Sequence, residues 1–450
     1  MKRIIIAGTH SGCGKTTITC AVLAALKARG MNVTAFKCGP DYIDPMFHRE
    51  VIGVPSYNLD SFFCDDDTLK YLLNEHAQNS DIAVIEGVMG FYDGADGRGS
   101  AYSLSQITDT PVIIVIDCRG MSDSIGAVMR GFLGYKCPNN IVGFIFDRLS
   151  ERLIPLAKKL CEELGTQYFG FFPRTDITIE SRHLGLVTAS EIEDIKQKLL
   201  QLGKFAEKSI CLDDITGISA PELTGYKAPV FPEVPAKAPV VAVAKDSSFC
   251  FIYDDNIEIL RKLGCVIKYF SPLEDSKFPD DADGLYLCGG YPELYAERLS
   301  ANTDMLDSLR EKISGGLPTI AECGGFMYLH DIFTDMDGNG YGGVGVIRGK
   351  AFSTDRLQRF GYITLTAEKD DLLCKAGGKF RAHEFHYFDS TDCGRDMTAR
   401  KSDGREWRCV HTNSTLYAGF PHLYFYSDIN TAGRFVSACI NYKVKNEQNK

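Results

Sequence analysis

One segment near the start of the chain restricts the possible folds more than any other. An apolar run over residues 3–7 leads directly into Gly8-Thr-His-Ser-Gly-Cys-Gly-Lys15-Thr16-Thr17, and a stretch of helical character follows. A glycine-rich turn between a strand and a helix leaves backbone N–H groups free to surround phosphate oxygens. The segment therefore predicts a P-loop. It has one departure, since the usual spacing places the first glycine at position 9, where this chain has threonine.

The loop supplies candidate ligands for a nucleotide and its metal ion. In a P-loop the lysine reaches the β- and γ-phosphates, and the hydroxyl residue after it binds Mg²⁺. We therefore expect Lys15 to contact ATP and Thr16 to ligate Mg²⁺. The full set of residues predicted to bind ATP is Gly12, Cys13, Gly14, Lys15, Thr16 and Thr17.

Acidic residues follow two further apolar runs in the same half of the chain. Asp41 comes after the run 33–36, and Glu86 comes after the run 82–85. Ligands of open α/β sheets bind at the carboxyl ends of the strands. We therefore expect both acids to join Thr16 at the Mg²⁺ ion, with Lys37 as a clamp for a carboxylate or a phosphate.

The order of apolar runs and helical stretches indicates the fold class. In the first half, strand-like runs alternate with helical stretches, which is typical of a parallel sheet covered on both faces. A second α/β series begins at Val240 and becomes glycine-rich and β-like after about residue 340. The chain is too long for a single core, so two or more domains are expected.

Prolines mark the boundary between the two series. Five of them lie from Pro221 to Pro239, which is typical of a semi-rigid connecting segment. The predicted organisation is a P-loop ATP-binding domain over 1–195, a connecting segment over 196–239, a second α/β domain over 240–442 and a polar tail over 443–450.

A cysteine in the second series has the setting of a nucleophile. Ala-Glu-Cys323-Gly-Gly-Phe follows the apolar run 317–320, so the cysteine ends a predicted strand and two glycines open the turn after it. Such a turn exposes a thiol and leaves N–H groups beside it, as acyl transfer requires. The thiol also needs an imidazole that takes its proton, and His422 is the candidate.

Acyl transfer also needs donors for the oxyanion. A glycine turn after the apolar run 284–288 holds Gly289, Gly290 and Tyr291, which we predict to form the oxyanion hole and glutamine pocket with the N–H of Gly324. A nucleotide site and a thiol acyl-transfer site in one chain indicate ATP-driven amide synthesis with glutamine as the nitrogen source.

Composition excludes several classes of partner. The net charge of −10 argues against nucleic acid or an anionic membrane as the main partner. The sixteen cysteines are scattered without any CxxC pair, which fits neither a zinc knuckle nor a disulfide scaffold. No apolar run approaches the roughly 20 residues of a membrane helix, and the N-terminus is typical of a first strand. We expect a cytoplasmic protein with free thiols.

Several motifs together resemble one known family, the cobyrinate a,c-diamide synthases. The loop spacing is also similar to that of dethiobiotin synthetase-like ATPases, which share the displaced first glycine. The matches extend over roughly residues 4–425. The motifs are Phe36-Lys-Cys-Gly-Pro-Asp-Tyr-Ile-Asp-Pro45, Asn58-Leu-Asp60, Glu86-Gly-Val-Met-Gly90, Arg182-His-Leu-Gly-Leu186, Phe249-Cys-Phe-Ile-Tyr-Asp-Asp-Asn256, Phe270-Ser-Pro-Leu273, Gly289-Gly-Tyr-Pro-Glu-Leu294, Ala321-Glu-Cys-Gly-Gly-Phe326 and His383-Glu-Phe-His-Tyr387.

The resemblance implies an architecture and an activity. The first domain would be an amidoligase of P-loop fold, and the second a class I glutamine amidotransferase-like α/β domain. ATP and Mg²⁺ would activate the c and then the a acetate carboxylate of cobyrinate as an acyl phosphate. Ammonia released from glutamine would pass between the domains and form each amide, a carbon–nitrogen ligase reaction of cobalamin biosynthesis. The residues assigned to substrate binding and activation are Lys37, Tyr42, Asp44, Asp93, Arg182 and His183.

Some positions depart from the family pattern. Asp147 and Ser181 stand where asparagine and proline are expected, and the first could alter contacts with the base or ribose. Ordinary class I amidotransferases carry a glutamate two residues after the histidine, whereas this chain has Tyr424, so the third triad member is absent. His383 and His386 lack the spacing of a zinc site and are interpreted as hydrogen-bonding support for the cleft.

Other functions stay open at this point. Relatives that amidate nickel-sirohydrochlorin or hydrogenobyrinate share the same motifs. A P-loop partitioning or signalling ATPase with an inactive second domain is a rival of another class, but it predicts loss of the cysteine or the histidine, and both are present. We expect a tetrapyrrole or corrin substrate and neither nucleic acid nor membrane as partner, and we leave a homo-oligomer open.

Overall fold

A computed structural model describes residues 1–94, 97–175, 177 and 189–448, with only the backbone described over 189–193. The chain divides into two compact units, Met1–Pro229 and Val230–Lys450. Among the described residues, no helix combines the length and the apolar character that a membrane-spanning segment needs. All sixteen cysteines lie in the described part, and each is a free thiol.

The first unit is built on a seven-stranded sheet in which every pairing is parallel. Its strand order is β3-β2-β4-β1-β5-β6-β7. The strands are β1 Arg3–Gly8, β2 Val33–Cys38, β3 Ser56–Leu59, β4 Ile82–Glu86, β5 Val112–Asp117, β6 Ile141–Asp147 and β7 Gln167–Phe172. The helices are α1 Lys15–Ala28, α2 Ile43–Phe47, a π-helix His48–Ile52, α3 Asp66–Ala77, α4 Ala101–Thr108, α5 Ser124–Gly134, a 3₁₀ turn Glu151–Leu153, α6 Ile154–Glu163, α7 Ala189–Ser209 and α8 Leu212–Gly217.

The central position of β1 determines where the P-loop lies. The strand is buried along its whole length, with β4 on one side and β5 on the other. Apolar residues of α1 and of α7 belong to the same buried cluster on one face of the sheet. The loop after β1 therefore opens beside the carboxyl ends of β4 and β5, the edge at which ligands of parallel sheets bind.

The second unit contains a six-stranded sheet in the order β10-β8-β11-β13-β21-β20, in which only the β20–β21 pairing is antiparallel. Its strands are β8 Val240–Ala244, β10 Val266–Phe270, β11 Gly284–Leu287, β13 Thr319–Glu322, β20 His411–Thr412 and β21 Leu416–Gly419. The helices of this unit are α9 Asp254–Lys262, a 3₁₀ turn Pro292–Tyr295, α10 Ala296–Ala301, α11 Thr303–Ser314, α12 Gly324–Tyr328, a 3₁₀ turn Phe425–Ser427 and α13 Ile429–Gln448.

Two smaller sets of strands complete the second unit. A short antiparallel pair joins β9 Phe249–Phe251 to β12 Gly289–Gly290. A seven-stranded, mainly antiparallel sheet follows the order β15-β14-β16-β17-β22, with a further pair on β16. Its strands are β14 His330–Thr334, β15 Gly340–Gly342, β16 Ile347–Ala367, β17 Lys379–Ser390, β18 Met397–Arg400, β19 Glu406–Cys409 and β22 His422–Leu423. The predicted α/β class of both halves is confirmed.

Two segments differ from the sequence-based expectation. Residues 196–209 and 212–217 of the predicted connecting segment are helical, because α7 continues to Ser209 and α8 follows it after two residues. One face of α7 is buried in the core of the first unit through Leu199, Leu202 and Ala206. These residues are three and four positions apart, which is the spacing of a helix face. The predicted polar tail continues α13 as far as Gln448, since lysine, glutamate and glutamine are good helix formers.

Candidate active site

The P-loop is held open by glycines in the left-handed region. Gly12 has a φ of 80° and Gly14 a φ of 95°. A side chain at Gly14 would also place its Cβ 2.5 Å from Oδ2 of Asp147. Asp147, the position of the unusual acid, therefore lies directly against the loop, where its Oδ2 pairs with Nε of Arg148 at 2.7 Å. Burial raises the pKa of Asp147 to about 6, with the charge of Arg148 opposing that shift.

Lys15 is a buried cation that makes one long hydrogen bond within the described part of the chain. Its side chain begins α1 and is 8% exposed, and its Nζ reaches the carbonyl oxygen of His10 at the long distance of 3.5 Å. Burial lowers the pKa of Lys15 and the charge of Lys37 adds to the shift, whereas Cys13, Glu86 and Asp44 oppose it. A phosphate in the loop would remove this penalty, because it places negative charge at the ammonium group.

The hydroxyl of Thr16 meets Glu86 beneath the loop. Thr16 Oγ1 donates to Glu86 Oε1 at 2.6 Å, although the residues belong to α1 and β4. Glu86 is fully buried, and burial opposes its charge, but Lys37 and His48 outweigh that effect and hold its pKa below the usual range. A hydroxyl and an ionised carboxylate at one point are the hard oxygen donors that suit Mg²⁺. These residues fit the metal that the loop predicts.

Lys37 lies inside this cluster and has two acidic partners. Strand register places it opposite Glu86, whose Oε1 is 3.0 Å from its Nζ, and it also forms a very short contact with Oδ2 of Asp44. Asp41, the predicted metal ligand, is 4.0 Å from Nζ and uses its Oδ1 to accept the N–H of Ile43 at 2.8 Å. The predicted clamp lysine is therefore already paired with carboxylates of its own unit.

The remaining predicted residues of the first unit are spread more widely. Cys13 is buried, and its Sγ would lie 2.2 Å from a Cβ added at Gly8, so this sulfur fills the space that the displaced glycine leaves. Tyr42 precedes α2, close in the chain to the acidic cluster. Asp93 caps its own turn by accepting the N–H of Gly90 at 2.9 Å. Arg182 and His183 lie outside the described residues, as does Ser181, and Thr17 lies on α1.

Cys323 stands on a strained turn between β13 and α12. Its φ of 46° with a ψ of −102° is a conformation that residues with a Cβ rarely adopt. The backbone is held there because the N–H of Cys323 donates to the carbonyl of Gly419 at 2.8 Å, while its own carbonyl accepts from Met327 at 2.9 Å. Burial raises the pKa of the Cys323 thiol, and the charge of Glu293 adds to the shift. The resting thiol therefore keeps its proton and needs a base.

The predicted oxyanion turn packs against the helix that follows the cysteine. A Cβ added at Gly324 would lie 3.0 Å from the backbone nitrogen of Gly290 and 2.9 Å from Cδ of Pro292. Within this turn the N–H of Tyr291 donates to the carbonyl of Ser248 at 2.9 Å. The turn therefore brings Gly290 to Gly324, whereas the N–H of Tyr291 already has a backbone acceptor.

His422 lies on the other side of the same turn. It follows β21, the strand paired with β13, and its own strand β22 pairs with β17 so that His422 stands opposite His383. A Cβ added at Gly289 would fall 2.5 Å from Cε1 of the His422 ring. Gly289 thus contacts the imidazole of His422, and Gly290 contacts Gly324 at the start of α12, the helix that follows Cys323. Burial lowers the pKa of His422 to about 3, so the imidazole is neutral and able to accept a proton.

This close approach makes a prediction for Gly289. In Gly289→Ala the new methyl group would displace the buried His422 ring, and we expect glutamine-dependent activity to fall about 10²-fold, as a displacement of about 1 Å can cause. Activity with added ammonia should persist. A matched control is Gly342→Ala, whose Cβ would meet only Ser300 Oγ at 3.5 Å. Equal loss in both variants, or full glutaminase activity in the first, would contradict this placement.

The two histidines of β17 support the cleft. The His386 ring stacks on Phe420 at 4.0 Å, its Nε2 lies 3.0 Å from Glu384 Oε2, and its Nδ1 lies 2.6 Å from the carbonyl of Phe388. Both ring nitrogens of His386 are therefore already engaged by oxygen atoms of the protein. Burial lowers the pKa of His383 to about 3, with the charge of His422 acting in the same direction.

Two buried residues at the sites were not predicted from the sequence. His48 starts the π-helix, and its Nε2 lies 3.4 Å from Oε2 of Glu86 while its Nδ1 lies 3.1 Å from Ser56 Oγ. Glu322, next to Cys323 in the chain, has its Oε2 3.6 Å from Nδ1 of His422. A signal for Glu322 was available, since it is a carboxylate in an otherwise apolar strand. No spacing marks His48.

Family models match both halves of the chain. Residues 4–187 match the model described as a CobQ/CobB/MinD/ParA nucleotide binding domain. Residues 240–429 match the model described as a CobB/CobQ-like glutamine amidotransferase domain. Each match contains one of the two sites described above.

Relatives of the whole chain share one name. The chain is 39% identical to cobyrinate a,c-diamide synthase of Thermoplasma volcanium, with 99% of both chains covered. It is 36% identical to the Caldanaerobacter subterraneus enzyme of that name, covering 97% of this chain and 98% of the relative. It is 39% identical to that of Listeria monocytogenes serovar 1/2a, covering 95% and 97%.

Proposed function

The chain belongs to the cobyrinate a,c-diamide synthase family, and we propose that it uses ATP and glutamine to convert the a and c acetate carboxylates of cobyrinate into amides. The observation that carries the proposal is the presence of two sets of reactive groups in one chain. A P-loop with a buried lysine lies in the first unit. In the second, the Gly289–Gly290 turn contacts both the His422 ring and the helix that follows the strained Cys323. Such a pairing suits glutamine-dependent ligation.

In the second unit, Cys323 releases ammonia from glutamine. The thiol attacks the carboxamide carbon, its proton passes to His422, and the oxyanion is stabilised by the N–H groups of Gly324 and Gly290. His422 returns the proton to the leaving nitrogen, so ammonia departs and a thioester remains. Water then hydrolyses the thioester to glutamate and frees the thiol. The position of His422 supports this role, because the Gly289–Gly290 dipeptide contacts the His422 ring at Gly289 and the start of the cysteine helix at Gly290.

In the first unit, the P-loop holds ATP while a substrate carboxylate oxygen attacks the γ-phosphorus. ADP leaves, and the carboxylate becomes an acyl phosphate. Lys15 balances the charge of the phosphates, and its burial without a strong protein partner supports that role. Ammonia then attacks the acyl carbon and displaces inorganic phosphate, which leaves the amide. This activation is needed because a carboxylate itself is a poor electrophile.

We assign Mg²⁺ to Thr16 and Glu86, with Asp41 near them. The bound ion would neutralise charge on the β- and γ-phosphates. Lys37 pairs with Glu86 and Asp44, and His48 lies against the other oxygen of Glu86. We propose that these two residues fix the orientation of the Glu86 carboxylate, and that Lys37 thereby contributes to metal binding as well as to any contact with substrate.

The rival functions make different demands on the chain. A regulatory P-loop ATPase would have no use for a strained cysteine beside a buried histidine, so the geometry favours the ligase. The choice of macrocycle among cobyrinate, hydrogenobyrinate and nickel-sirohydrochlorin rests on the family. We also place the enzyme in the cytoplasm, where its free thiols stay reduced.

The acyl-phosphate route predicts a transfer of oxygen. Cobyrinate labelled with ¹⁸O in its carboxylates, incubated with enzyme, ATP, Mg²⁺ and glutamine, should give one ¹⁸O in the phosphate for each amide formed, measured by mass spectrometry. The three macrocycles are compared in parallel, and cobyrinate should react fastest. Amide formation with unlabelled phosphate would reject the acyl phosphate. Preference for another macrocycle would reject the proposed substrate and leave the mechanism intact.

A further inference from the structure

The histidine of the glutaminase site has a carboxylate neighbour on the cysteine strand. Position 424, where ordinary class I amidotransferases carry their glutamate, is Tyr424, whose hydroxyl donates to Oδ2 of Asp255 at 2.8 Å. Glu322, in contrast, extends from the last position of β13, and its Oε2 lies 3.6 Å from Nδ1 of His422. This distance is longer than a hydrogen bond, as it often is in catalytic groups before substrate binds.

Glu322 is held in place by a chain of buried hydrogen bonds. Its Oε1 accepts the hydroxyl of Tyr286 at 2.9 Å and the backbone N–H of Leu423 at 3.2 Å. All three residues are at most 2% exposed. Since both donors use Oε1, the other oxygen of the carboxylate is the one directed toward His422. Leu423 directly follows His422, so one of these bonds also fixes the strand that carries the imidazole.

A buried asparagine extends the same network across the sheet. Asn256 Nδ2 donates to the Tyr286 hydroxyl at 3.1 Å and to the carbonyl of Leu423 at 2.8 Å, and its Oδ1 accepts the N–H of Phe425 at 2.8 Å. The segment 423–425 is therefore clamped on both sides of Tyr424. A buried polar network destabilises the fold unless each of its members has a hydrogen-bonding partner. This network ends at Glu322, beside His422.

We propose that Glu322 is the positioning residue for His422, replacing the acid that position 424 lacks. Its carboxylate accepts the Nδ1–H of His422, so the neutral imidazole keeps its proton on Nδ1 and Nε2 is the nitrogen that takes the proton of Cys323. It also supplies the negative charge that stabilises the imidazolium formed in that step. The inference deepens the proposed function and rests on its glutaminase half alone.

An isosteric substitution separates orientation from packing. In Glu322→Gln the amide oxygen can still accept from Tyr286 and Leu423, so the NH₂ group faces His422 and donates to Nδ1. That hydrogen bond enforces the tautomer with its proton on Nε2, which cannot act as the base. By analogy with the loss of the acid from serine protease triads, kcat for glutamine hydrolysis should fall about 10²–10⁴-fold while KM changes little.

The dependence on pH gives a readout that a packing role would not move. The titratable groups facing Glu322 are Tyr286, Cys288, Cys323, Tyr417 and His422. Burial raises the pKa of Glu322 to about 8, whereas burial lowers that of His422 to about 3 and raises those of the two tyrosines and two cysteines. The carboxylate form gains population as the pH rises through 8, so glutaminase activity should rise there.

The experiment measures glutamate release from glutamine between pH 6 and 10, without any macrocycle. Glu322→Gln should show low activity with no rise near pH 8. Tyr286→Phe removes a donor that stabilises the carboxylate, so its rise should move to higher pH with less than about tenfold loss of kcat. Glu293→Gln is the matched control, because Glu293 is a half-buried glutamate whose pKa burial raises to about 7, and its charge acts on Cys323. It should keep the rise near pH 8.

Several results would overturn the proposal. One is a Glu322→Gln enzyme with activity within threefold of the parent, or with an unchanged pH profile. Another is loss of ammonia-dependent amidation in that variant, which would assign Glu322 to the fold. If Glu322→Gln does not fold, an unshifted pH profile of glutaminase activity in Tyr286→Phe would by itself reject the positioning role of Glu322. Failure of the macrocycle assay with intact glutaminase behaviour would reject the proposed substrate and not Glu322.

Discussion

Replacing Lys15 with alanine should abolish amide formation with glutamine and with ammonia alike, by at least about 10²–10³-fold. Without the lysine the loop cannot balance the charge of the β- and γ-phosphates, so no carboxylate is activated whichever nitrogen source is present. The fold should survive, because the buried ammonium group makes, among the described residues, only a long hydrogen bond to the carbonyl of His10. The measurement is amidated product by mass spectrometry with each nitrogen source.

Nucleotide binding can be followed separately from the reaction. ATP with Mg²⁺ should raise the melting temperature of the parent enzyme, and Lys15→Ala should lose that rise while its ligand-free melting temperature is equal or higher. Lys159→Ala, a surface lysine of the same unit that is 69% exposed, is the control and should behave as the parent does. Undiminished product formation by Lys15→Ala would remove the loop from the reaction.

Replacing Cys323 with alanine should abolish amidation with glutamine but not with ammonia, whereas Lys15→Ala should abolish both. Glutamine-dependent synthesis should fall to background, while synthesis with added ammonia should stay within a few-fold of the parent. In the proposed mechanism the thiol serves only to release ammonia, and carboxylate activation takes place at the P-loop. Alanine keeps the Cβ, so the unusual φ of 46° is no more strained than in the parent, and the turn should be preserved.

A second buried thiol provides the control for Cys323. Cys439 lies on α13, is fully buried and has its Sγ against Gly284, away from the glycine turn. Cys439→Ala should keep both activities, although the small cavity could lower its melting temperature. If Cys323→Ala lost both activities in a folded protein, the division of labour between the two units would be wrong.

The sequence was most informative where a function depends on a short, continuous segment. The P-loop and the cysteine turn each lie within a single strand–turn–helix, so glycines and their neighbours specify the local backbone without help from distant residues. The same locality explains why the alternation of buried strands and helices predicted two α/β units. The prediction was wrong for α7, which was assigned to the connecting segment because prolines follow it. Its apolar residues have helical spacing and pack in the core.

Strand order decided what the sequence left open at the nucleotide site. Lys37 could be predicted as a clamp, but its pairing with Glu86 depends on β2 lying next to β4, with β1 on the other side of β4. The contact of Thr16 with Glu86 has the same cause. Such contacts join residues far apart in the chain, and no spacing within a motif encodes them.

The glutaminase site divides in the same way. The sequence by itself determined the turn that carries the proposed nucleophile, because Cys323 and its two glycines are contiguous, and it indicated His422 by residue type. Only the tertiary structure showed Gly289 against the imidazole, the backbone acceptor of Tyr291, and the carboxylate of Glu322 facing the histidine. The physical reason is that a local turn is fixed by the conformational preferences of its own residues, whereas a hydrogen-bonding partner is fixed by which strands become neighbours when the core is buried.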